Sequence, residues 1–244
     1  PGRAAHVQKP VSDPLENLGL HERALLLALH DERGTIHRAG MYAYAVAGGI
    51  LAELFLAERL RLEERPGKKK PLVAVARPTQ TGDPLVDEVL DTIRTARRRA
   101  TLERWIGRIA TTAKLKHRVA GRLVRKGVLR EEEDRVLLIF RRTIYPELDP
   151  RPEEALVASL RDAILGDSAE VDPRTAILAS LGWRAGLLHG VVDRKELKAR
   201  TARLEELGRG DAVAGATREA IAAVQAATIA ATTAATAAAT TAAT

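Results

Sequence analysis

Residues 41–60 are small or apolar on nearly every helical face, with Gly48 and Gly49 inside the run and Glu53 and Glu58 toward its end. A helix without a polar face cannot lie on a surface. It belongs at the centre of a bundle, where glycines let neighbouring backbones approach closely. Other helices must therefore surround it. Aromatic residues make up only 3% of the chain, so the core rests on Leu, Ile, Val and Ala, which favour helix packing over a sandwich or barrel. With 244 residues, 45% of them hydrophobic, the chain can bury one substantial core. The expected class is mainly α: a single-domain helical bundle with surrounding amphipathic helices and one or two small β-hairpins.

Residues 1–18 carry Pro10 and Pro14 and are expected as a flexible lead-in. The domain is placed at 19–227. An uncharged Ala/Thr-rich tail covers 228–244, either separate or extending the last helix. Inside the domain, 21–30 reads as an apolar helix punctuated by Asp31-Glu32-Arg33-Gly34. Residues 59–63 and 72–76, joined through Pro66-Gly67-Lys68-Lys69-Lys70, read as a hairpin. Asp83 is placed as an N-cap and Pro84 as the first residue of a helix ending in Arg97-Arg98-Arg99, where the macrodipole favours cations. Helices at 101–111 and 114–126 follow, the second stopped by Gly127. A second hairpin is expected from Val128-Leu129-Arg130, a turn at 131–134 and a strand at 136–140. Four helices, near 153–165, 173–191, 193–207 and 211 onward, complete the chain, with Asp172 and Asp193 as N-caps.

Thirteen of the 39 Lys and Arg residues fall between positions 94 and 130, and Glu103 is the one acid among them. The segment carries +12, whereas the whole chain carries +7. Charge gathered this way points to an anionic surface, either lipid headgroups or a phosphodiester backbone. On a helical wheel, Lys114, Arg118, Arg122 and Arg125 share an arc of about 80°. Leu115, Val119, Ala120, Leu123 and Val124 lie opposite, and Lys116 falls inside their apolar arc. Either Lys116 snorkels, or the first turn frays, or its ammonium reaches an anion between helices. A second oddity is the run Val136, Leu137, Leu138, Ile139 and Phe140. Strand side chains alternate between faces, so such a ribbon is buried on both sides or presents one side to a partner subunit or a bilayer.

Motifs for chemistry are missing. Without cysteine there is no disulfide scaffold, thiolate metal site or Cys nucleophile. His6, His21, His30, His37, His117 and His189 have no metal-binding spacing. Ser12, Ser159, Ser168 and Ser180 lie in no nucleophile elbow. Thr81-Gly82-Asp83 lacks the glycine-rich run and the Lys-Ser/Thr of a phosphate loop. The chain is expected to be no enzyme and to use neither cofactor nor metal. No apolar leader or run of 18 consecutive apolar residues is seen, so a soluble cytoplasmic protein with peripheral membrane contact is expected.

Several segments, in order, carry a resemblance. They are Glu22-Arg23-Ala24-Leu25-Leu26-Leu27-Ala28-Leu29 with Asp31-Glu32-Arg33-Gly34, and Ala52-Glu53-Leu54-Phe55-Leu56-Ala57-Glu58-Arg59-Leu60. Thr81-Gly82-Asp83-Pro84-Leu85-Val86-Asp87-Glu88, Trp105-Ile106 and Leu123-Val124-Arg125-Lys126-Gly127-Val128-Leu129 follow. Together, over about residues 20–227, the chain resembles the Golgi phosphoprotein 3 family, most clearly a bacterial member. The resemblance implies a helical domain, an apolar hairpin near 129–142 used in self-association, and a non-catalytic peripheral membrane protein. Eukaryotic members recognise phosphatidylinositol 4-phosphate and retain glycosyltransferases. The family's lipid pocket transfers in part: its Arg position falls on Ala47, and its Trp position falls near His37 or Arg38. Lys116 matches one later basic position, and Lys114 or Ala113 lies near the other. The stacking aromatic is therefore missing.

The expected function is binding of anionic, phosphoinositide-type headgroups through Arg38, Lys114, Lys116, Arg118 and Arg122. The run 136–140 would serve self-association or membrane contact, and expected partners are an anionic membrane, a homo-oligomer and a protein client. The alternative is a winged-helix nucleic-acid binder, with 114–126 as recognition helix and the hairpin as wing. An acidic turn at 131–134 weighs against it, since phosphates would repel that tip.

Overall fold

The computed structural model describes residues 13–29, 41–136, 140–168, 170–209 and 215–242. In chain order they form α1 (Leu20–Leu29), α2 (Tyr42–Leu56), β1 (Leu60–Glu63), β2 (Leu72–Val75), α3 (Pro84–Thr95), α4 (Leu102–Ala110) and α5 (Leu115–Arg125). These are followed by β3 (Glu132–Val136), β4 (Phe140–Ile144), α6 (Arg151–Leu165), α7 (Pro173–Ala185), α8 (Arg194–Ala199), α9 (Thr201–Gly208) and α10 (Gly215–Ala242). The fold is mainly α with two small antiparallel hairpins.

The apolar helix is α2, and it is central as its sequence requires. It packs against α1, α4, α7 and α10, and Ala45 to Ala52, Leu54 and Phe55 are buried. Each fully buried Leu, Ile or Phe side chain contributes roughly 1.5–3 kcal/mol. The glycines mark its two closest approaches. A Cβ on Gly49 would lie 2.8 Å from the backbone nitrogen of His21, and one on Gly48 would lie 2.8 Å from Thr228 Oγ1. The helix ends four residues earlier than expected, because Glu58 adopts φ +55 and the chain enters β1.

α1 is buried along its whole length. Glu53 of α2 caps it, accepting a hydrogen bond from the Leu20 N–H at 2.8 Å. Residues 13–18, expected within the loose lead-in, are tied down: Leu15 and Leu18 are buried, and Arg23 donates to both their carbonyls. Asp83, Asp172 and Asp193 are N-caps as expected, each accepting from backbone N–H groups of the first turn. The helix expected at 173–191 stops earlier, where Gly186 at φ +70 closes α7 and Leu187 N–H bonds back to Gly182. The one expected at 193–207 is split at Arg200 into α8 and α9.

α10 runs on through the Ala/Thr tail. Its stretch Ile221–Ala238 has the length and composition to cross a membrane. Ile221, Val224, Ala227, Thr228 and Thr232 are nevertheless buried, and the helix packs on α2, α4 and α7 as a core element.

The second hairpin differs most from expectation. Its strands are β3 and β4, registered Glu132↔Ile144, Asp134↔Arg142 and Val136↔Phe140. The acidic run is thus strand, not turn. It is held by cross-strand ion pairs, Asp134 with Arg142 at 2.6 Å and Glu133 with Arg141 at 3.5 Å. Val136 and Phe140 end the strands, while Leu137, Leu138 and Ile139 lie outside the described residues. The apolar run therefore straddles the connection between the strands instead of forming one strand. The acidic-tip argument against a nucleic-acid wing loses its premise.

Candidate functional site

The basic segment folds into the corner where α3, α4 and α5 succeed one another. α3 ends at Thr95, and Ala96 turns extended, so Arg97, Arg98 and Arg99 lie beyond the helix. The macrodipole fades within the last turn and does not account for them. Arg99 pairs with Glu63 of β1. Arg97 and Arg98 face a cleft of about 910 Å³ together with Arg108 of α4 and Arg118 of α5. Leu85, Val89, Trp105, Ile109 and Leu115 supply its apolar lining. The Arg108 guanidinium lies 4.9 Å from the centroid of the Trp105 ring, a cation–π contact. The Trp105 indole N–H is buried without a hydrogen-bond partner.

On the other flank of α4, a pocket of about 690 Å³ is lined by Arg65, Lys70, Arg99 and Arg104. Glu103 there is held by Lys70 at 2.6 Å. Burial, the largest single cause, raises the Glu103 carboxyl's pKa, and the hydrogen bonds from Lys70 and Thr101, the Lys70 charge and a backbone hydrogen bond together outweigh it to leave a net lowering. Arg104 and Arg108 are both exposed and four residues apart on α4. Like charges at that spacing cost a few tenths of a kcal/mol, so helix formation does not explain them.

Carboxylates neutralise part of the segment. Arg94 pairs with Asp91, Arg99 with Glu63, Arg118 with Glu88, Arg122 with Glu22 and Asp83, Lys126 with Glu22, and Arg130 with Glu132. Among the described residues, Arg97, Arg98, Arg104, Arg108, Lys114, Lys116 and Arg125 have no such partner.

The described residues among those singled out from sequence do not converge. Arg38 lies outside the described residues. Lys114 is exposed at the corner before α5, in the left-handed region at φ +57. Lys116 is half-buried with Nζ 5.6 Å from the Tyr145 ring centroid. Burial first, and Arg142 second, lower its pKa. It thus snorkels along an aromatic face at the hairpin base. Arg118 lines the cleft but is held by both carboxylate oxygens of Glu88.

Arg122 is an internal residue. Its NH2 lies 2.6 Å from Asp83 and its Nε 3.2 Å from Glu22. Glu22 is fully buried and also receives Lys126 at 2.6 Å and the Gly19 N–H at 2.9 Å. Removing one partner of such a buried pair strands a charge at a cost of about 3–5 kcal/mol. Arg122 therefore holds α5 to α1 and to the N-cap of α3, and is removed from the ligand set. His21, Glu22 and Asp83 offer ligand atoms within 4.8 Å of one another, but both carboxylates already bind the protein's own cations. That chemistry suits a structural network, not a metal centre.

Sequence reasoning missed the cleft. The available signal was Arg108 three residues after Trp105 on the same helix; the contribution of Arg97 and Arg98 depended on where α3 ended.

A family model described as Golgi phosphoprotein 3 matches residues 20–224. Vacuolar protein sorting-associated protein 74 of Schizosaccharomyces pombe is 26% identical over 223 residues, covering 78% of this chain. The chain spans 66% of that yeast protein's length.

Proposed function

Because the chain belongs to the Golgi phosphoprotein 3 family, we propose that it is a non-catalytic peripheral membrane protein on the cytoplasmic face of an anionic bilayer. Its cationic corner around α4 binds the headgroups, of the phosphoinositide type that the resemblance implies. One observation carries this reading: Arg97, Arg98, Arg104, Arg108 and Lys114 are all exposed and have no carboxylate partner among the described residues. Mutual repulsion gives folding no benefit from them, whereas each is worth about 1 kcal/mol near an anionic membrane surface. Lys116, beside Tyr145, adds a cation at the hairpin base.

The apolar sequence joining β3 to β4 supports the corner by self-association or shallow insertion. Such a connection also offers phosphates no cation, which favours a membrane over a nucleic acid.

Co-sedimentation with vesicles tests the reading. Binding is expected to phosphoinositide-containing vesicles at low salt, to weaken at high salt, and to be absent for neutral vesicles. Equal pelleting with both vesicle types refutes the electrostatic part. For the hairpin, replacing Leu137, Leu138 and Ile139 by Ser is expected to reduce oligomer size or vesicle binding. If sizing and sedimentation both match the parent, the hairpin has neither role.

A further inference from the structure

A bilayer is flat, but the arginine-lined space between α3, α4 and α5 is concave. Its volume of about 910 Å³ falls in the range of small-molecule sites, roughly 300–1,000 Å³. We propose that this cleft binds a single phosphomonoester amphiphile, with its phosphate at Arg97, Arg98 and Arg108 and its chain along Leu85, Val89 and Ile109.

Every cation in the lining is an arginine, whose planar fork binds phosphate oxygens in pairs. Arg118 is committed to Glu88, which leaves three guanidiniums without a carboxylate among the described residues. Trp105 lines the same cleft, and its buried indole N–H lacks an acceptor. Thr92, Thr95 and Thr112 do not compete for the ligand, because their hydroxyls donate to the carbonyls of Glu88, Asp91 and Arg108, one turn earlier. The set is therefore rich in donors and short of acceptors. A carboxylate, with two oxygens and one charge, matches it less well than a phosphomonoester, with three oxygens and nearly two charges. The apolar lining calls for more than a bare anion. Occupancy of the cleft does not depend on the membrane reading, since a monomeric amphiphile can fill it in solution.

The chain has two tryptophans, so Trp183→Phe leaves Trp105 as the one indole reporter. The full-length variant is titrated with dodecyl phosphate below its micelle concentration. Parallel titrations use dodecylphosphocholine, laurate, inorganic phosphate and vesicles containing phosphatidic acid. A saturable change in Trp105 emission is expected with dodecyl phosphate at concentrations where phosphocholine, laurate and inorganic phosphate give none. Adding Arg97→Gln and Arg98→Gln, at exposed residues without ion pairs among the described residues, is expected to leave the melting temperature unchanged. It should weaken binding about tenfold or more, by loss of charge-assisted hydrogen bonds. An equal response to phosphocholine would reduce the site to an apolar groove, and an equal response to inorganic phosphate would reduce it to an anion site. An equal response to laurate would overturn the choice of phosphate. A response to vesicles without one to monomer would make the cleft part of the membrane surface, and no response at all would leave it empty. Each of these five results overturns the proposal.

Discussion

Consider the chain with Arg97, Arg98, Arg104 and Arg108 replaced together by Gln. All four are exposed and have no carboxylate partner among the described residues, so the fold is expected to survive. Fields superpose, and what an anionic bilayer attracts is the sum over the corner. A cation beside its own carboxylate, such as Arg94 with Asp91 at 3.1 Å, acts at a distance as a dipole. Removing both members together leaves that sum nearly unchanged. Removing four unpaired cations, at about 1 kcal/mol each, takes away about 4 kcal/mol. At 1.4 kcal/mol per decade, that is a loss of roughly a thousandfold in vesicle affinity. The control is Arg94→Gln with Asp91→Asn, for which no more than about a twofold change is expected. Partition onto anionic vesicles is measured at about 0.1 M salt, where the Debye length is about 10 Å, and again near 1 M, where it is about 3 Å. The gap between the two variants should close at the higher salt. If the paired control weakens binding as much as the fourfold variant, or the fourfold variant loses less than about threefold at low salt, counting unpaired cations is the wrong account of the surface.

Two further outcomes follow from the core. Gly49→Ala drives a Cβ into the backbone of α1, which must move, at about 1–3 kcal/mol for overpacking against about 1 kcal/mol of regained helix propensity. Gly48→Ala meets Thr228 and Leu181 side chains, which can rotate, so urea midpoints should rank Gly49→Ala below Gly48→Ala; the reverse order refutes the contact geometry. The second outcome concerns pH. Burial lowers the His21 pKa below its ordinary 6.5, against the opposing pull of Glu22, Asp83 and Glu53, with Arg122 adding to the lowering. The unfolded chain then binds the proton more readily, so His21's contribution is complete above 6.5 and is lost as pH falls through it. His117 is lowered too, first by burial, so stability curves of His21→Gln and His117→Gln should each be flatter on the acid side than the parent's. A His21→Gln curve that overlays the parent's contradicts its desolvation.

The sequence carried the architecture where the signals were local. An apolar face on every side placed α2, and Asp83, Asp172 and Asp193 announced three helix starts. Glycine and proline bounded the first hairpin. It misled where a residue's role depended on partners far along the chain. Glu131 to Asp134 read as a turn because acids cluster in turns, yet cross-strand arginines at 141 and 142 draw Glu133 and Asp134 into a strand. Charge density in the segment 94–130 was legible, but which cations remain available was not. That depends on Glu22, a hundred residues from Arg122, on Glu63 opposite Arg99, and on Glu88 opposite Arg118.

The placement of those carboxylates is itself informative. On α5 and at its C-cap, Arg122 and Lys126 lie next to buried Glu22, and there neutralisation is obligatory because an unpaired cation against the core would cost several kcal/mol. On α4 and the corner preceding it, Arg97, Arg98, Arg104 and Arg108 point to solvent, and a single acid, Glu103, stands among them, already taken by Lys70. A surface tuned only for solubility intersperses both signs, and here one sign gathers around concave, partly apolar walls. Folding accounts for the paired cations. The unpaired ones remain to be explained, and an anion supplied from outside is the partner their geometry fits.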